Sequence, residues 1–226
     1  AYQAVKEPGV YWHMLPTAAQ ARKAIWNGLD RHGRRVIDQA FPPALRKRTR
    51  DDEMYIELAN GSIVQFVGSD NYDNLVGSNP KGVIFSEFAI ANPLAWDYIR
   101  PMLAENNGFA IFISTPRGRN HFYRLYDLNK DADNWFCEVR DITQTYREDG
   151  SPIITEEVLE EERRSGMDES KLQQEYFCSW EGGLEGAYFT EEVNDIRTNR
   201  LGHYANDDGL AMTAWDIGVR DRTAIG

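Results

Sequence analysis

KGVIFSEFA, residues Lys81–Ala89, is a short apolar run that ends in two polar residues. Val83, Ile84 and Phe85 are too few for a helix and follow Gly82, which suits a strand buried on both faces, as in a parallel sheet. Ser86 and Glu87 then fall at the carboxyl end of that strand, where open α/β sheets bind their ligands. FAIFISTPRG, Phe109–Gly118, repeats the pattern: Phe109–Ile113 is apolar, and Ser114, Thr115 and Pro116 follow. Two neighbouring strands with polar tips on one edge would form a nucleotide site. Taken singly, each run reads equally well as a core strand with an ordinary cap.

The chain before this pair supplies further elements. Gly9–Leu15 (GVYWHML) is an aromatic-rich strand candidate ended by Pro16–Thr17. Thr17 and Gln20 have the spacing of a capping box, so a helix begins at Ala18. Its apolar face is Ala21, Ile25 and Leu29, it ends near Gly33, and a second short helix precedes Pro42–Pro43. MYIELA and SIVQFVG alternate around Asn60–Gly61 and predict a hairpin with a type I′ turn. Ser69–Pro80 is a polar, turn-rich loop leading into the central strand.

Downstream, Asn92–Pro93 starts a helix that passes through Trp96 and Ile99 to about Glu105 and is strained by Pro101. Asn120–Leu128 is the next helix, and Trp135–Ile142 alternates as a further strand. The order strand, helix, strand, helix argues an α/β fold: a parallel, doubly wound sheet with one hairpin insertion. Beyond Gly150 the character changes. Thr155–Arg164 and Asp168–Cys178 read as polar helices capped by Thr155 and Asp168, with an acidic, exposed run at Glu156–Glu162. Gly182, Gly183 and Gly186 suggest a hinge, and Leu210–Gly218 and Arg222–Gly226 read as the first strands of another domain. The expected division is 1–145, 146–206 and 207–226, and the whole reads as an internal piece of a longer protein.

Composition narrows the class. With 42% hydrophobic and 12% aromatic residues, the chain can bury a sizeable core. No apolar stretch approaches the roughly 18 residues of a membrane span, and Ala1–Leu15 lacks the apolar segment of a signal peptide. Cys137 and Cys178 alone make no disulfide framework and suggest a reducing compartment. His13, His32, His121 and His203 show no metal-ligand spacing. A net charge of −11 argues against a protein that coats DNA generically. Locally, however, Arg22, Lys23, Arg31, Arg34, Arg35, Arg46, Lys47, Arg48 and Arg50 outweigh Asp30 and Asp38. That excess suits either phosphates or a solvated helical face.

These residues define a chemistry. Hydrolysis of a phosphoanhydride needs a metal to neutralise the phosphates and a carboxylate to position water. Glu87 is the candidate for orienting the water. Ser86 could hold Mg²⁺ or its water shell, weakly, because a hydroxyl is a poorer ligand for a hard cation than a carboxylate. Ser114 and Thr115 could bond the γ-phosphate or Glu87 and sense its loss. Arg117 and Arg119 could stabilise phosphate charge or touch DNA. No G-x-x-x-x-G-K-[ST] occurs, so the phosphate cradle of an ATPase would lie upstream of Ala1. Asp216, on an apolar run with Trp215 and Ile217, and Asp221 across the turn could ligate metals for phosphodiester cleavage. A plain turn aspartate is the other reading of both.

Taken together, PTAAQARKAIW (Pro16–Trp26), IELANGSIVQFVGSDNYDNLVG (Ile56–Gly77), GVIFSEFA (Gly82–Ala89), ISTPRGRNHFY (Ile113–Tyr123), QEYFCSW (Gln174–Trp180) and WDIGVRDRTA (Trp215–Ala224) resemble, in order and spacing, the large terminase subunit of tailed double-stranded DNA phages. The resemblance implies a RecA/helicase-like P-loop ATPase domain over residues 1–145 without its Walker A strand, and a helical linker. An RNase H-like nuclease would then begin near 207. It implies that Glu87 is the catalytic glutamate after a Walker B strand, that Ser114–Thr115–Pro116 couples hydrolysis to movement, and that Asp216 is a nuclease metal ligand. The implied cofactors are ATP with Mg²⁺, and Mg²⁺ or Mn²⁺ for the nuclease. The implied partners are double-stranded DNA (with Arg22, Lys23, Arg46, Lys47, Arg48 and Arg119 as candidate contacts), the portal of a procapsid, a small terminase subunit and other copies in a ring, all in the host bacterial cytoplasm. Ser86 departs from the pattern, standing where a Walker B aspartate is usual. A helicase-like ATPase of repair or transposition and a DNA-binding module without ATPase activity are the competing readings.

Overall fold

The computed structural model describes residues 1–75 and 77–181, together with the backbone of 215–216 and 224–225. The chain divides into two compact units, Ala1–Glu185 and Gly186–Gly226. In the second, a two-residue strand β7 (Trp215–Asp216) pairs antiparallel with β8 (Ala224–Ile225). The hinge glycines and the rest of the expected third domain lie outside the described residues.

The first unit is built on a six-stranded mixed sheet. Its strands are β1 (Val10–Leu15), β2 (Arg46–Arg50), β3 (Tyr55–Leu58), β4 (Ile63–Gly68), β5 (Pro80–Ser86) and β6 (Phe109–Ile113), in the spatial order β2-β3-β4-β1-β5-β6. From β4 to β6 the strands run parallel; β2 and β3 are antiparallel. Side chains alternate along each strand, so the sheet has two apolar faces. Tyr11, Leu15, Ile56, Val64 and Phe66 pack on one face with Ala21 and Trp26, and with Ile37 of the short helix Val36–Ala40. Trp12, Met14, Val83 and Phe85 pack on the other, under Ala95, Ile99 and Leu103 of the helix Leu94–Glu105. Both faces of β5 are covered along most of its length, which is why it reads as a continuous apolar run. A Cβ at Gly82 would stand 2.5 Å from the ring of Phe109, its partner on β6, so any side chain here would displace that ring.

The capping box holds: Thr17 accepts from the Gln20 amide, and the Gln20 side chain accepts from the Thr17 amide at 3.1 Å. The helix is shorter than expected. After Ala18–Ala21 the chain takes one π turn, Arg22–Trp26, closed by Asn27 N–H on the Arg22 carbonyl at 2.8 Å. The wider turn rotates Trp26 into the core, where its indole N–H donates to Asp51 at 2.7 Å. Leu29 is therefore 62% exposed rather than on the buried face, and Gly33 belongs to a turn outside the helix. The hairpin between β3 and β4 forms as expected, but its turn is not type I′. Gly61 has positive φ and Asn60 does not; Gly61 N–H bonds the Leu58 carbonyl at 3.0 Å and Leu58 N–H bonds the Ser62 carbonyl at 2.8 Å. This is the three-residue loop that ends in a left-handed glycine. Asn60 is tied instead to the carbonyls of Ala4 and Val5.

Residues 135–141 form no strand. Trp135 stacks on Phe112 at 5.9 Å while Phe136 is 86% exposed, so their alternation records one ring packing onto β6 rather than a hydrogen-bonded ladder. Three later helices follow their expected spans, His121–Asn129, Glu156–Arg164 and Glu169–Phe177. Asp168 caps the last by accepting the Ser170 N–H, whereas Thr155 makes no side-chain cap bond, and the short helix Tyr2–Lys6 is unexpected. Among the described residues no helix is long and apolar enough to cross a membrane.

Candidate functional site

β5 and β6 run parallel with Ser86 opposite Ile113, so both polar tips emerge at the same sheet edge. Ser86 lies on the face shared with His13 of β1, and its hydroxyl is 2.7 Å from His13 Nε2. Burial pushes the His13 pKa down to about 4, so the imidazole is neutral near pH 7. On its other side His13 lines an apolar cavity of about 310 Å³ with Tyr11, Phe66, Ile84 and Phe109.

Glu87 ends the strand in a left-handed conformation, φ 57° and ψ 40°. For a residue with a Cβ this costs about 1–3 kcal/mol and persists only where its surroundings impose it. The carboxylate is exposed and, among the described residues, caps nothing. The turn after it, Phe88–Ile90, is tightly held. Phe88 is 2% exposed among the rings of Phe85, Phe112 and Phe122. Ala89 N–H donates to Ser114 Oγ at 3.0 Å, and Ser114 Oγ–H donates to the Thr115 carbonyl. Asn120 Nδ2 donates to the Ala89 carbonyl at 2.7 Å, and His121 Nε2 lies 2.6 Å from the Phe88 carbonyl. A backbone carbonyl can only accept, so His121 carries its proton on Nε2.

The structure thus brings Ser86, Glu87, Ser114 and Thr115 to one edge. Arg117 is drawn away to Glu175 of the helix Glu169–Phe177. Arg119 pairs with Glu181 and lies over the Tyr123 ring at 5.2 Å. The basic stretch is not one surface. Arg22 donates to the Asp51 and Asp52 carbonyls, and Arg46 braces the Phe41 and Ile37 carbonyls and Asp38. Lys47 and Arg48 stand on the outer strand β2 and share Glu57; Lys23 is exposed. Asp216 is on β7, while its side chain and all of Asp221 lie outside the described residues. Among the described residues no group of three His, Cys, Asp or Glu could hold a metal.

Three site residues escaped the sequence reading: His13, Asn120 and His121. His13 had a signal, a lone polar residue inside the apolar run VYWHML. Asn120 and His121 had none beyond an ordinary helix cap, because their partners are main-chain carbonyls more than 30 residues away.

The parallel part of the sheet thus ends in hydroxyls and a carboxylate that is unpaired among the described residues, at the edge where open α/β sheets bind their ligands. No family model matches the chain. It is 33% identical over 191 residues to the large terminase subunit of Escherichia phage T5, covering 80% of this chain and 41% of that protein. The chain therefore spans about two fifths of the length of the curated relative it matches. Among solved structures it resembles the large terminase ATPase domain of Thermus phage P74-26 (TM-score 0.52, 21% identity, 79% of this chain and 80% of that one). It also resembles the large terminase of a second thermophilic bacteriophage, in complexes with ADP (TM-score 0.55, 16% identity, 77% and 41%) and with ATP-γ-S (0.53, 12%, 77% and 40%). The fold is that of the RecA-like terminase ATPase domains, and the sequence resemblance to a phage large terminase holds over four fifths of the chain.

Proposed function

We propose that this chain is the greater part of the ATPase domain of a phage DNA-packaging motor, with the linker that follows it. The observation that carries this is Glu87: an exposed carboxylate, unbonded among the described residues, held in a strained turn between Ser86 and Ser114 at the carboxyl edge of a parallel sheet. Such a group can orient water toward a γ-phosphate. Ser114 and Thr115 flank that position. The phosphate cradle would come from sequence outside these 226 residues.

Of the residues at this edge, Ser86 would hold Mg²⁺ or its water shell, more weakly than the one or two carboxylates this ion usually takes, and Glu87 is kept for orienting water. When bound, the ion neutralises charge on the transferring phosphoryl group. His13 Nε2 and the Ser86 hydroxyl share a hydrogen bond of 2.7 Å, which ties the Ser86 side chain to β1.

In the whole protein, hydrolysis would drive double-stranded DNA into a procapsid through a ring of copies on the portal. A small terminase subunit would assist, in the host cytoplasm. Asp216 and Asp221 would contribute to a nuclease using Mg²⁺ or Mn²⁺. Of the candidate DNA contacts in the basic stretch, Lys23, Lys47 and Arg48 are exposed, while Arg22 and Arg46 are partly buried. The test is ATP hydrolysis by the full-length protein with Mg²⁺ and DNA, with and without Glu87→Gln. An inert parent overturns this reading.

A further inference from the structure

The loop between β6 and the helix His121–Asn129 does more than contribute Ser114. From it and the start of that helix, Ser114, Asn120 and His121 reach the Phe88–Ala89 and Ala89–Ile90 peptide groups, one residue beyond Glu87: Ser114 accepts the Ala89 N–H, Asn120 donates to the Ala89 carbonyl and His121 to the Phe88 carbonyl. Phe88 is further fixed by an edge-to-face contact with the His121 ring at 5.0 Å. These bonds are what a left-handed, non-glycine residue needs in order to stay left-handed. Asn120 also caps its helix, its Oδ1 accepting the Phe122 N–H at 2.9 Å, so the helix start and the Glu87 turn are joined through one side chain.

We infer that Asn120 and His121 are positioning residues for Glu87: they hold the backbone that aims its carboxylate, without touching the nucleotide. The inference rests on the ATPase reading above. Their donor hydrogens reach carbonyl oxygens, so neither residue exchanges a proton in the reaction. His121→Phe keeps a ring of similar shape and loses the donor. His121→Gln keeps an N–H donor at the same reach. Asn120→Asp keeps the helix cap and loses the donor to Ala89.

In the full-length protein, His121→Phe and Asn120→Asp are expected to lower kcat for ATP by about 10²-fold, the cost of a misplaced catalytic group, with KM little changed. His121→Gln should recover most of the rate and keep the parent's pH–rate profile. Amide exchange of Ala89–Ala91 should quicken in His121→Phe and Asn120→Asp while the rest of the sheet stays protected. The inference is overturned if both variants match the parent's kcat, if His121→Gln is as impaired as His121→Phe, or if the pH profile shifts with residue 121. If the parent hydrolyses nothing, the ATPase reading falls. Exchange at Ala89–Ala91 then still decides whether these side chains hold the turn, and unchanged exchange overturns that too.

Discussion

The carboxyl edge of the sheet and its outer strand β2 both carry concentrated charge, yet they use it in opposite ways. At the edge, Glu87 holds a costly backbone conformation, exposed and without a partner among the described residues, while neutral groups brace the turn behind it. On β2, cations are consumed locally. Arg46, its side chain 12% exposed, meets two carbonyls and Asp38, and Lys47 and Arg48 lie over Glu57. The difference separates a group kept available from groups that complete the fold. A row of Lys and Arg on an outer strand also has a structural use, since it discourages the unpaired edge from pairing with another sheet.

The sharpest way to break this contrast is Glu87→Gln. It should lower kcat of the full-length protein by about two or more orders of magnitude, the scale of a positioned acid or base, and leave the melting temperature unchanged. Arg46→Ala should do the reverse. Losing charge-assisted bonds to main-chain carbonyls should cost about 2–3 kcal/mol in denaturant unfolding, with DNA affinity unaltered. Charge reversal at Lys47 and Arg48 should change stability by no more than about 0.5 kcal/mol, as for exposed ion pairs. If this strand meets DNA, the slope of log affinity against log salt should fall by about one per lost contact. An unchanged slope assigns these cations to the sheet edge alone.

The smallest expected effect is one of pH. Asp30 accepts the Arg34 and His32 amides and pairs with the Arg34 guanidinium, which hold its pKa down at about 2, against 3.8 for a free aspartate. The folded state then binds fewer protons than the unfolded state between those values. Its contribution is complete above about pH 4 and is lost as pH falls toward about 2. Asp30→Asn should flatten acid unfolding across that window. An unaltered acid limb would show that the ion pair at this turn contributes nothing.

Much of this was legible in the chain. The strands at Val10–Leu15, Pro80–Ser86 and Phe109–Ile113, and the helices after Asn92 and Asn120, follow from apolar runs and local caps, which depend on neighbours in sequence. Ser86, Glu87, Ser114 and Thr115 were legible for the same reason, because a polar residue ending a buried strand must emerge at a sheet edge. The misreadings came where a local pattern had two outcomes. Residues 135–142 alternate as a strand does, but none of the described strands pairs with them. Ala21, Ile25 and Leu29 fit an α-helical face, but one π turn brings Trp26 inward to Asp51.

The sequence by itself determined the parallel α/β core, the polar strand tips and a carboxylate at the end of β5, because burial and chain direction dictate them. Only the tertiary structure decided that Glu87 is left-handed and held clear of its neighbours, that His13 meets Ser86, and that Asn120 and His121 hold the turn between them. It likewise decided that most of the basic stretch is already paired. Hydrogen bonds and ion pairs reach only a few ångströms, so which groups satisfy one another is set by which strands the fold lays side by side.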